Sequence, residues 1–251
     1  RSLKGAYLFG SAFMSFQNPI FVALDTPDPA VAAASGGQIA PHVGGLKLGL
    51  EFFYAAGPQG YAQVAATGAP IFLDLKLHDI PNTVAGGIRS CLPLKPAIIN
   101  VHTAGGIAMM QAAADAASEA GDERPMVIGV TVLTSLDETD LAAAGVAGSA
   151  SDQVRRLASN AQKAGLDGVV CSSHEIAALR NDLGPDFKLI VPGIRPAGAD
   201  VGDQKRIMTP EQAMDLGADI LVIGRPILKA PDPVLAAKAI TASLKKQGQS
   251  T

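Results

Sequence analysis

The chain has 251 residues, of which 48% are hydrophobic and 17% charged, and its formal net charge at pH 7 is −3. These values suit one large globular domain or two small ones, and the slightly acidic balance gives no reason to expect nucleic acid or an anionic membrane as a partner. No apolar run approaches the roughly 20 residues that a transmembrane helix requires.

The first 13 residues lack the apolar centre of a signal peptide and precede Met14. We expect them to be sequence added for expression or a disordered leader, with the folded domain spanning residues 14–251. Cys91 and Cys171 form no CxxC or zinc-type spacing, and Cys171 ends an apolar run, which predicts a buried free thiol. No HExxH or His-rich pattern indicates a metal site, so we expect a metal-free protein of the reducing cytoplasm.

Short apolar runs alternate with Ala-rich helical stretches from Met14 onward. Eight strands are predicted, at residues 20–25, 45–50, 70–76, 97–102, 126–133, 168–172, 188–193 and 219–224. Among the helices predicted between them are those at residues 105–120, 150–164, 174–183, 210–217 and 232–246. The Ser35-Gly36-Gly37 sequence predicts that the first helix is short or kinked, because each glycine costs a helix roughly 1 kcal/mol relative to alanine. The longest inter-strand segment contains a predicted loop at residues 135–148.

Near-continuous apolar strands separated by helices are typical of a parallel sheet covered by helices. Eight such units in about 235 residues match the usual size of a (β/α)8 TIM barrel, so we predict an α/β protein with a single barrel domain. A doubly wound open sheet is the main alternative, but no GxGxxG follows the first strand.

The third strand combines burial with an unusual density of charge. After an apolar beginning, Asp74 and Lys76 alternate with leucines, which places both charged side chains on one face of the strand. Asp79 follows where the strand gives way to a loop, and Pro81 suits the first position of a helix. Ionisable groups at the end of a buried strand are costly unless they pair or take part in chemistry. A structural ion pair and a functional site therefore both fit this stretch.

Active sites of TIM barrels form at the C-terminal ends of the strands. The predicted strands end in, or lead into, a set of polar and glycine residues: Asp25, Lys47, Asp74, Lys76, Thr134, Gly193, Arg195, Gly224 and Arg225. Arg195 and Arg225 lie in the two loops where such barrels often bind phosphate, which predicts an anion site, although either arginine alone would equally fit a surface charge. Gln204, in the polar loop after strand seven, is either a lid residue over that site or an ordinary solvated side chain.

Two cations and two anions alternate among Lys47, Asp74, Lys76 and Asp79. Mutual pairing can keep all four groups ionised even when they are partly desolvated. A lysine held between two carboxylates stays protonated, so it suits a general acid better than a base or a Schiff-base nucleophile. The set favours delivery of a proton to a developing carbanion.

The run Asp74-x-Lys76-x-x-Asp79-Ile-Pro-Asn-Thr83, with Lys47-x-Gly49 before it and Gly224-Arg225 after it, resembles the bacterial type of the orotidine 5′-phosphate decarboxylase family. The resemblance covers essentially residues 18–245. It implies removal of CO2 from C6 of orotidine 5′-phosphate to give UMP, the last step of de novo pyrimidine synthesis, without a metal or organic cofactor. It also implies a homodimer with shared active sites that binds a small-molecule substrate and neither nucleic acid nor membrane.

The family's pattern assigns catalytic roles to the charged set. Lys76 would donate the proton to C6, and Asp74 would lie against the leaving carboxylate. Lys47 and Asp25 would hold the ribose hydroxyls.

The remaining roles concern the neighbouring subunit and the rest of the substrate. Asp79 and Thr83 would reach into the active site of the partner subunit, and Thr134 would contact the pyrimidine. The phosphate would be bound by Arg195, Gln204, Gly224 and Arg225.

Two alternatives remain open. Metal-dependent keto-sugar-phosphate decarboxylases and the related synthases, which are aldolases, share the barrel and a DxKxxD strand. They need Mg²⁺, for which Glu51 is available, but Lys47 disfavours a cation beside it. A non-catalytic sensor of phosphate ligands would be expected to have lost Lys76 or Asp74, and this chain retains both.

Overall fold

The computed structural model describes residues 16–196 and 208–247. Within this part of the chain, eight strands form one closed barrel, and each strand runs parallel to its two neighbours. β1 closes the barrel by pairing with β8, where Phe21 lies opposite Val222. The strands are β1 Ile20–Ala23, β2 Gly45–Leu48, β3 Ile71–Leu77, β4 Ile98–His102, β5 Met126–Val130, β6 Gly168–Val170, β7 Lys188–Pro192 and β8 Ile220–Ile223. The predicted (β/α)8 barrel is confirmed.

Helices follow every strand, and several begin at a side-chain cap. Asp28, Ser149 and Thr209 accept hydrogen bonds from backbone N–H groups in the first turns of α1, α6 and α8. The helices are α1 Pro29–Ile39, α2 Leu50–Ala65, α3 Pro81–Cys91, α4 Ile107–Ser118, α5 Glu138–Ala143, α6 Ala150–Lys163, α7 Ile176–Leu183, α8 Pro210–Asp215, α9 Arg225–Leu228 and α10 Pro233–Gln247. The short helix α5 lies inside the segment predicted as a loop, where Asp137 forms a capping box with Asp140.

Two apolar layers follow from the period-two alternation of the strands. The interior of the barrel is filled by side chains such as Phe21, Phe72 and Ile98, which form one buried cluster. The residues between them in sequence, such as Val22 and Leu73, belong to a second cluster that packs against the helices. Each strand therefore presents alternate residues to the barrel axis, and the inward positions nearest its C-terminal end face the mouth.

The expectation of a short or kinked first helix is wrong. α1 continues over eleven residues, and Gly36 is buried within it. A Cβ atom at Gly36 would lie 3.0 Å from the Leu46 side chain, so this glycine allows the helix to approach the barrel closely. The interruption occurs in α2 instead, where Gly57 has φ 58° and ψ −161° and is followed by Pro58.

Both cysteines are free and buried, as predicted for Cys171. Burial raises the pKa of the Cys171 thiol far above its ordinary value. Among the described residues, none of the helices combines the length and hydrophobicity needed to cross a bilayer. The expectation for residues 1–13 concerns a segment that lies outside the described residues.

Candidate active site

The inward face of the barrel becomes polar at the C-terminal ends of β2, β3 and β4. Asp74 follows the buried inward residue Phe72 by two positions, and Asn100 follows Ile98 in the same way. Lys47, near the end of β2, pairs with Phe72 in the register, and its side chain lines the same cavity as that of Asp74. The alternation that fills the barrel with apolar side chains thus brings charged ones together at its mouth.

Asp74 is the centre of a compact charge network. One carboxylate oxygen, Oδ1, accepts hydrogen bonds from Lys76 Nζ at 2.6 Å and from Asn100 Nδ2 at 2.6 Å. The other oxygen, Oδ2, lies 3.2 Å from Lys47 Nζ. Lys47 Nζ in turn lies 3.7 Å from Asp25 Oδ1, so four of the predicted site residues form a continuous chain of ion pairs.

The environment keeps Asp74 ionised. Burial by itself would raise the pKa of the carboxyl, but the ammonium groups of Lys47 and Lys76 and the hydrogen bond from Asn100 outweigh that effect and lower the pKa below its ordinary value. The Asp74 and Lys47 side chains are only 11% and 12% exposed, whereas that of Asp25 is 63% exposed. The strongest interactions are therefore those around Asp74, where solvent screening is least.

Asn100 was missed in the sequence. It is fully buried, and its Oδ1 atom accepts a hydrogen bond from the backbone N–H of Lys76 at 2.7 Å. Its position in the sequence could have indicated a role. Asn100 is a polar residue in the mainly apolar strand β4, and the alternation of the strand places it on the face that points into the barrel. Only the assembled barrel shows that this side chain contacts both charged residues of β3.

Two histidines adjoin the network at the ends of β3 and β4. The rings of His78 and His102 have centroids 5.5 Å apart. Burial lowers the pKa of His102 from its ordinary value of 6.5, and the nearby His78 and Lys76 lower it further, while Asp74 has the opposite effect. His102 is therefore neutral at neutral pH.

The lowered pKa of His102 predicts a pH dependence of stability. Below about pH 6.5 the unfolded chain binds a proton at this histidine more readily than the folded protein does, so the free energy of unfolding falls as the pH decreases. The variant His102→Asn lacks this titration and is expected to lose less stability between about pH 7.5 and about pH 5.5. Urea unfolding of both proteins at the two pH values measures the difference. Equal slopes for His102→Asn and wild type would contradict the prediction.

A cavity of about 230 Å³ opens beside the charge network. Its charged wall is formed by Lys47, Asp74 and Lys76, and Thr134 lies at its edge. The rest of its lining is mainly apolar: Phe72, Val130, Val132, Leu133, Val170, Cys171, Ile190, Pro192 and Val222. A flat, largely apolar ring with a polar edge matches this combination of walls.

A larger and more open groove of about 630 Å³ lies at the other end of the barrel. It is lined by residues that precede β1 and β2 and by α10, including His42 and Lys238. Its described lining contains no carboxylate and no cluster of charges. The smaller cavity at the C-terminal ends of the strands is therefore the better candidate for chemistry.

The glycines and arginines predicted to bind an anion follow β7 and β8, at the same end as the charge network. Arg195 is buried, and its Nη1 donates to the carbonyl oxygen of Ile194 at 3.3 Å. Arg225 is exposed as the first residue of α9. At Gly224 a Cβ atom would lie 3.5 Å from Asp25 Oδ2, so the end of β8 adjoins the second residue after β1.

Asp79 and Thr83 do not join the charge network of their own chain. Both are exposed, in the β3–α3 loop and the first turn of α3, and Asp79 Oδ1 accepts a hydrogen bond from the N–H of Ile80. Gln204 lies outside the described residues.

The carboxylates at this end of the barrel, Asp25 and Asp74, are paired with lysines rather than grouped around an open position. Among residues 16–196 and 208–247, no three His, Cys, Asp or Glu side chains are arranged to hold a metal ion. Glu51, the carboxylate considered for a magnesium site, is exposed on α2, and the ammonium of Lys47 lies between Asp25 and Asp74. This donor set does not suit a divalent cation.

Comparison with known proteins places this site in context. Residues 18–240 match the family described as Orotidine 5′-phosphate decarboxylase / HUMPS family. The chain is 55% identical over 233 residues to the orotidine 5′-phosphate decarboxylase of Rhodospirillum rubrum, covering 91% of this chain and 94% of that protein. It is 56% identical over 227 residues to the decarboxylase of the same name from Novosphingobium aromaticivorans, covering 90% of this chain and 99% of that protein.

Solved structures agree with the sequence matches. The crystal structure of orotidine 5′-phosphate decarboxylase from Lactobacillus acidophilus superposes with a TM-score of 0.81 at 35% sequence identity. The superposition covers 90% of this chain and 99% of that one, so the similarity extends over the whole barrel.

Proposed function

The chain belongs to the orotidine 5′-phosphate decarboxylase / HUMPS family, and on this premise we propose that it converts orotidine 5′-phosphate to UMP and CO2. The observation that carries the proposal is the network in which Asp74 lies 2.6 Å from Lys76 Nζ and 3.2 Å from Lys47 Nζ beside a mainly apolar cavity. Relatives that are 55% and 56% identical over nearly their whole length bear the name of this enzyme.

The reaction breaks the bond between C6 and the carboxylate carbon. CO2 leaves, and the electron pair of the bond stays on C6 as a carbanion. The Lys76 ammonium, held in place by Asp74, stabilises this charge electrostatically and then donates a proton to C6. The resulting neutral amine regains its proton from solvent, which completes the cycle without a metal or organic cofactor.

Asp74 has two effects that follow from its ionised state. It anchors both lysines, and its negative charge lies where the substrate carboxylate would approach Lys76. Departure of CO2 removes the negative carboxylate from the neighbourhood of Asp74, so the interaction is less unfavourable in the transition state than in the bound substrate.

The polar groups around the cavity are assigned to the rest of the substrate. Lys47 and Asp25 bind the ribose hydroxyls, and Thr134 contacts the pyrimidine. The phosphate is bound by groups from the loops after β7 and β8: Arg195, Gln204, Gly224 and Arg225. These contacts are remote from C6, so their binding energy can be used to close the site and desolvate the charges.

A homodimer completes the proposed site. Asp79 and Thr83 are exposed and do not join the charge network of their own chain, which suits residues that reach into a neighbouring subunit. Large apolar side chains are also exposed near the starts of α2, α3 and α4: Tyr54 at 82%, Ile80 at 68% and Ile107 at 43%. A second copy of the chain would cover this surface.

The remaining parts of the proposal concern the boundaries and the location of the enzyme. We assign residues 14–251 to one catalytic domain. The two buried free thiols, Cys91 and Cys171, are compatible with a reducing cytoplasm. We propose a small-molecule substrate and neither nucleic acid nor membrane as a partner.

The decisive experiment follows the absorbance change of orotidine 5′-phosphate in buffer that contains excess EDTA. Turnover unaffected by the chelator is the expected result, and it would also exclude the magnesium-dependent members of the family. A folded protein without turnover would refute the proposed function, and sugar phosphates with Mg²⁺ would then be the substrates to test.

Replacement of Arg225 by alanine is expected mainly to weaken substrate capture. The loss of one charge-assisted contact to phosphate costs about 1.5–3 kcal/mol, which corresponds to a fall in kcat/KM of about 10- to 100-fold with a smaller change in kcat. Steady-state kinetics measure both constants. Arg89→Ala, which removes an exposed arginine paired with Glu119, is the matched control and should leave kcat/KM unchanged. An unchanged kcat/KM in Arg225→Ala would remove this residue from the phosphate site.

A further inference from the structure

Asn100 contacts both charged residues of β3 with one side-chain amide. Its Oδ1 accepts from the Lys76 backbone N–H at 2.7 Å, and its Nδ2 donates to Asp74 Oδ1 at 2.6 Å. A backbone N–H can only donate and a carboxylate can only accept, so the two neighbours determine which way the amide points. The side chain is fully buried, and solvent does not compete for either contact.

The backbone next to Asn100 is irregular at the residue proposed to donate the proton. Lys76 has φ 51°, in the left-handed region that residues with a side chain rarely adopt. The β3–β4 register shifts at the same place, since Leu73 pairs with Ile99 and Leu77 pairs with Val101. Four residues of β3 thus span two residues of β4, which is a bulge. The bulge takes the Lys76 N–H out of the regular ladder, and the Asn100 amide accepts its hydrogen bond instead.

We propose that Asn100 is a positioning residue for the decarboxylation: it holds the bulged backbone that directs the Lys76 ammonium into the cavity, and it orients the Asp74 carboxylate between the two lysines. This inference rests on the proposed function. Asn100 is fully buried and is not among the residues that line the cavity, so it acts through Asp74 and Lys76 rather than by touching the substrate. Strain at Lys76 is tolerated because a partner on the adjacent strand secures it.

Two substitutions separate the contacts of Asn100. Asn100→Leu has a similar volume and makes neither hydrogen bond, while Asn100→Asp keeps an acceptor for the Lys76 N–H but places a second carboxylate against Asp74. We expect kcat to fall about 100-fold in Asn100→Leu with KM changed less than about threefold, because displacement of the reacting group by about 1 Å costs that much. The acid limb of the pH–rate profile should move to higher pH in both variants, and further in Asn100→Asp, since Asp74 loses a donor that favours its charged form.

Thr103→Val is the matched control. Thr103 is also buried next to the end of β4, and its hydroxyl donates to the carbonyl oxygen of Val130 at 2.8 Å rather than to Asp74 or Lys76. This variant should lose stability but keep the wild-type kcat and acid limb. Equal effects of Thr103→Val and Asn100→Leu on the acid limb would show a merely structural role and overturn the proposal.

A measurement without substrate distinguishes failure of this inference from failure of the proposed function. Carbon-13 NMR of aspartate carboxyl groups, in the unliganded wild type and in Asn100→Leu, reports the titration of Asp74 directly. Titration at higher pH in the variant supports the positioning role, and titration at the same pH overturns it, whether or not the wild type turns over orotidine 5′-phosphate. If Asn100→Leu does not fold, Asn100→Ser, which is smaller and polar, serves in the same comparison.

Discussion

Lys76→Ala is expected to lower kcat by about 10⁵-fold or more while the protein remains folded. The lysine supplies two effects at once: general-acid transfer contributes about 10²–10⁴-fold, and a preorganised charge at a developing anion contributes about 10²–10³-fold. Asp74 keeps Lys47 and Asn100 as partners after the substitution, so no buried charge is left alone. Single-turnover kinetics of the decarboxylation and circular dichroism of the variant measure the two parts of this prediction.

The control for Lys76→Ala must also reproduce the unusual backbone. Lys95 is the only other non-glycine residue with positive φ in the described part of the chain, at 52°, and it pairs with Glu123 at the surface. Lys95→Ala therefore places alanine in the same left-handed conformation without touching the site, and it should retain full activity. A near-normal kcat in Lys76→Ala would refute the assigned role of this lysine.

In the proposed homodimer, Asp79→Ala is expected to abolish most activity, and mixing it with Lys76→Ala is expected to restore part of it. In a heterodimer of the two variants, one site combines an intact Lys76 with an intact Asp79 of the partner subunit. If subunits exchange at random from an equal mixture, half of the dimers are mixed and about a quarter of all sites are intact. The activity of mixtures refolded from denaturant, compared with each variant refolded alone, measures this recovery.

The matched mixture contains Lys76→Ala and Asp74→Asn. Both residues lie in the charge network of one subunit, 2.6 Å apart, so every site of that heterodimer carries one defect. This mixture should recover no activity. If the Asp79→Ala mixture likewise shows none while mixed dimers form, Asp79 acts within its own subunit or not at all, and the shared-site proposal fails.

The order and type of the elements could be predicted from local patterns, but their ends were less certain. All eight predicted strands are present. The sequence pattern extends the fifth strand to residue 133, whereas β5 ends at Val130 in the structure. Val132 and Leu133 are apolar and prolong the strand pattern, but in the fold they line the cavity instead of pairing with β6. Apolar periodicity reports burial, and it does not distinguish burial in a sheet from burial around a ligand site.

The glycines of the first helix wrongly predicted an interruption, for a related reason. The propensity cost at Gly36 is offset by the close packing of α1, since a Cβ atom there would lie only 3.3 Å from the Leu24 side chain and 3.0 Å from that of Leu46. In α2, by contrast, Gly57 and Pro58 do change the backbone direction. Whether a glycine interrupts a helix depends on the residues that pack against it. Those residues are distant in sequence, so the local pattern does not show them.

The sequence by itself determined which chemical groups reach the mouth of the barrel. The period of two in each strand and the rule that sites form at strand ends were sufficient to select Asp25, Lys47, Asp74 and Lys76, which the structure joins by ion pairs of 3.7 Å or less. The tertiary structure alone decided how those groups are held. The contact of Asn100 with Asp74 and with the left-handed backbone of Lys76 joins residues 24 and 26 positions apart, and it depends on a register shift between two strands. Such a contact arises because pairing the strands brings distant side chains within hydrogen-bonding distance, so only the closed barrel reveals it.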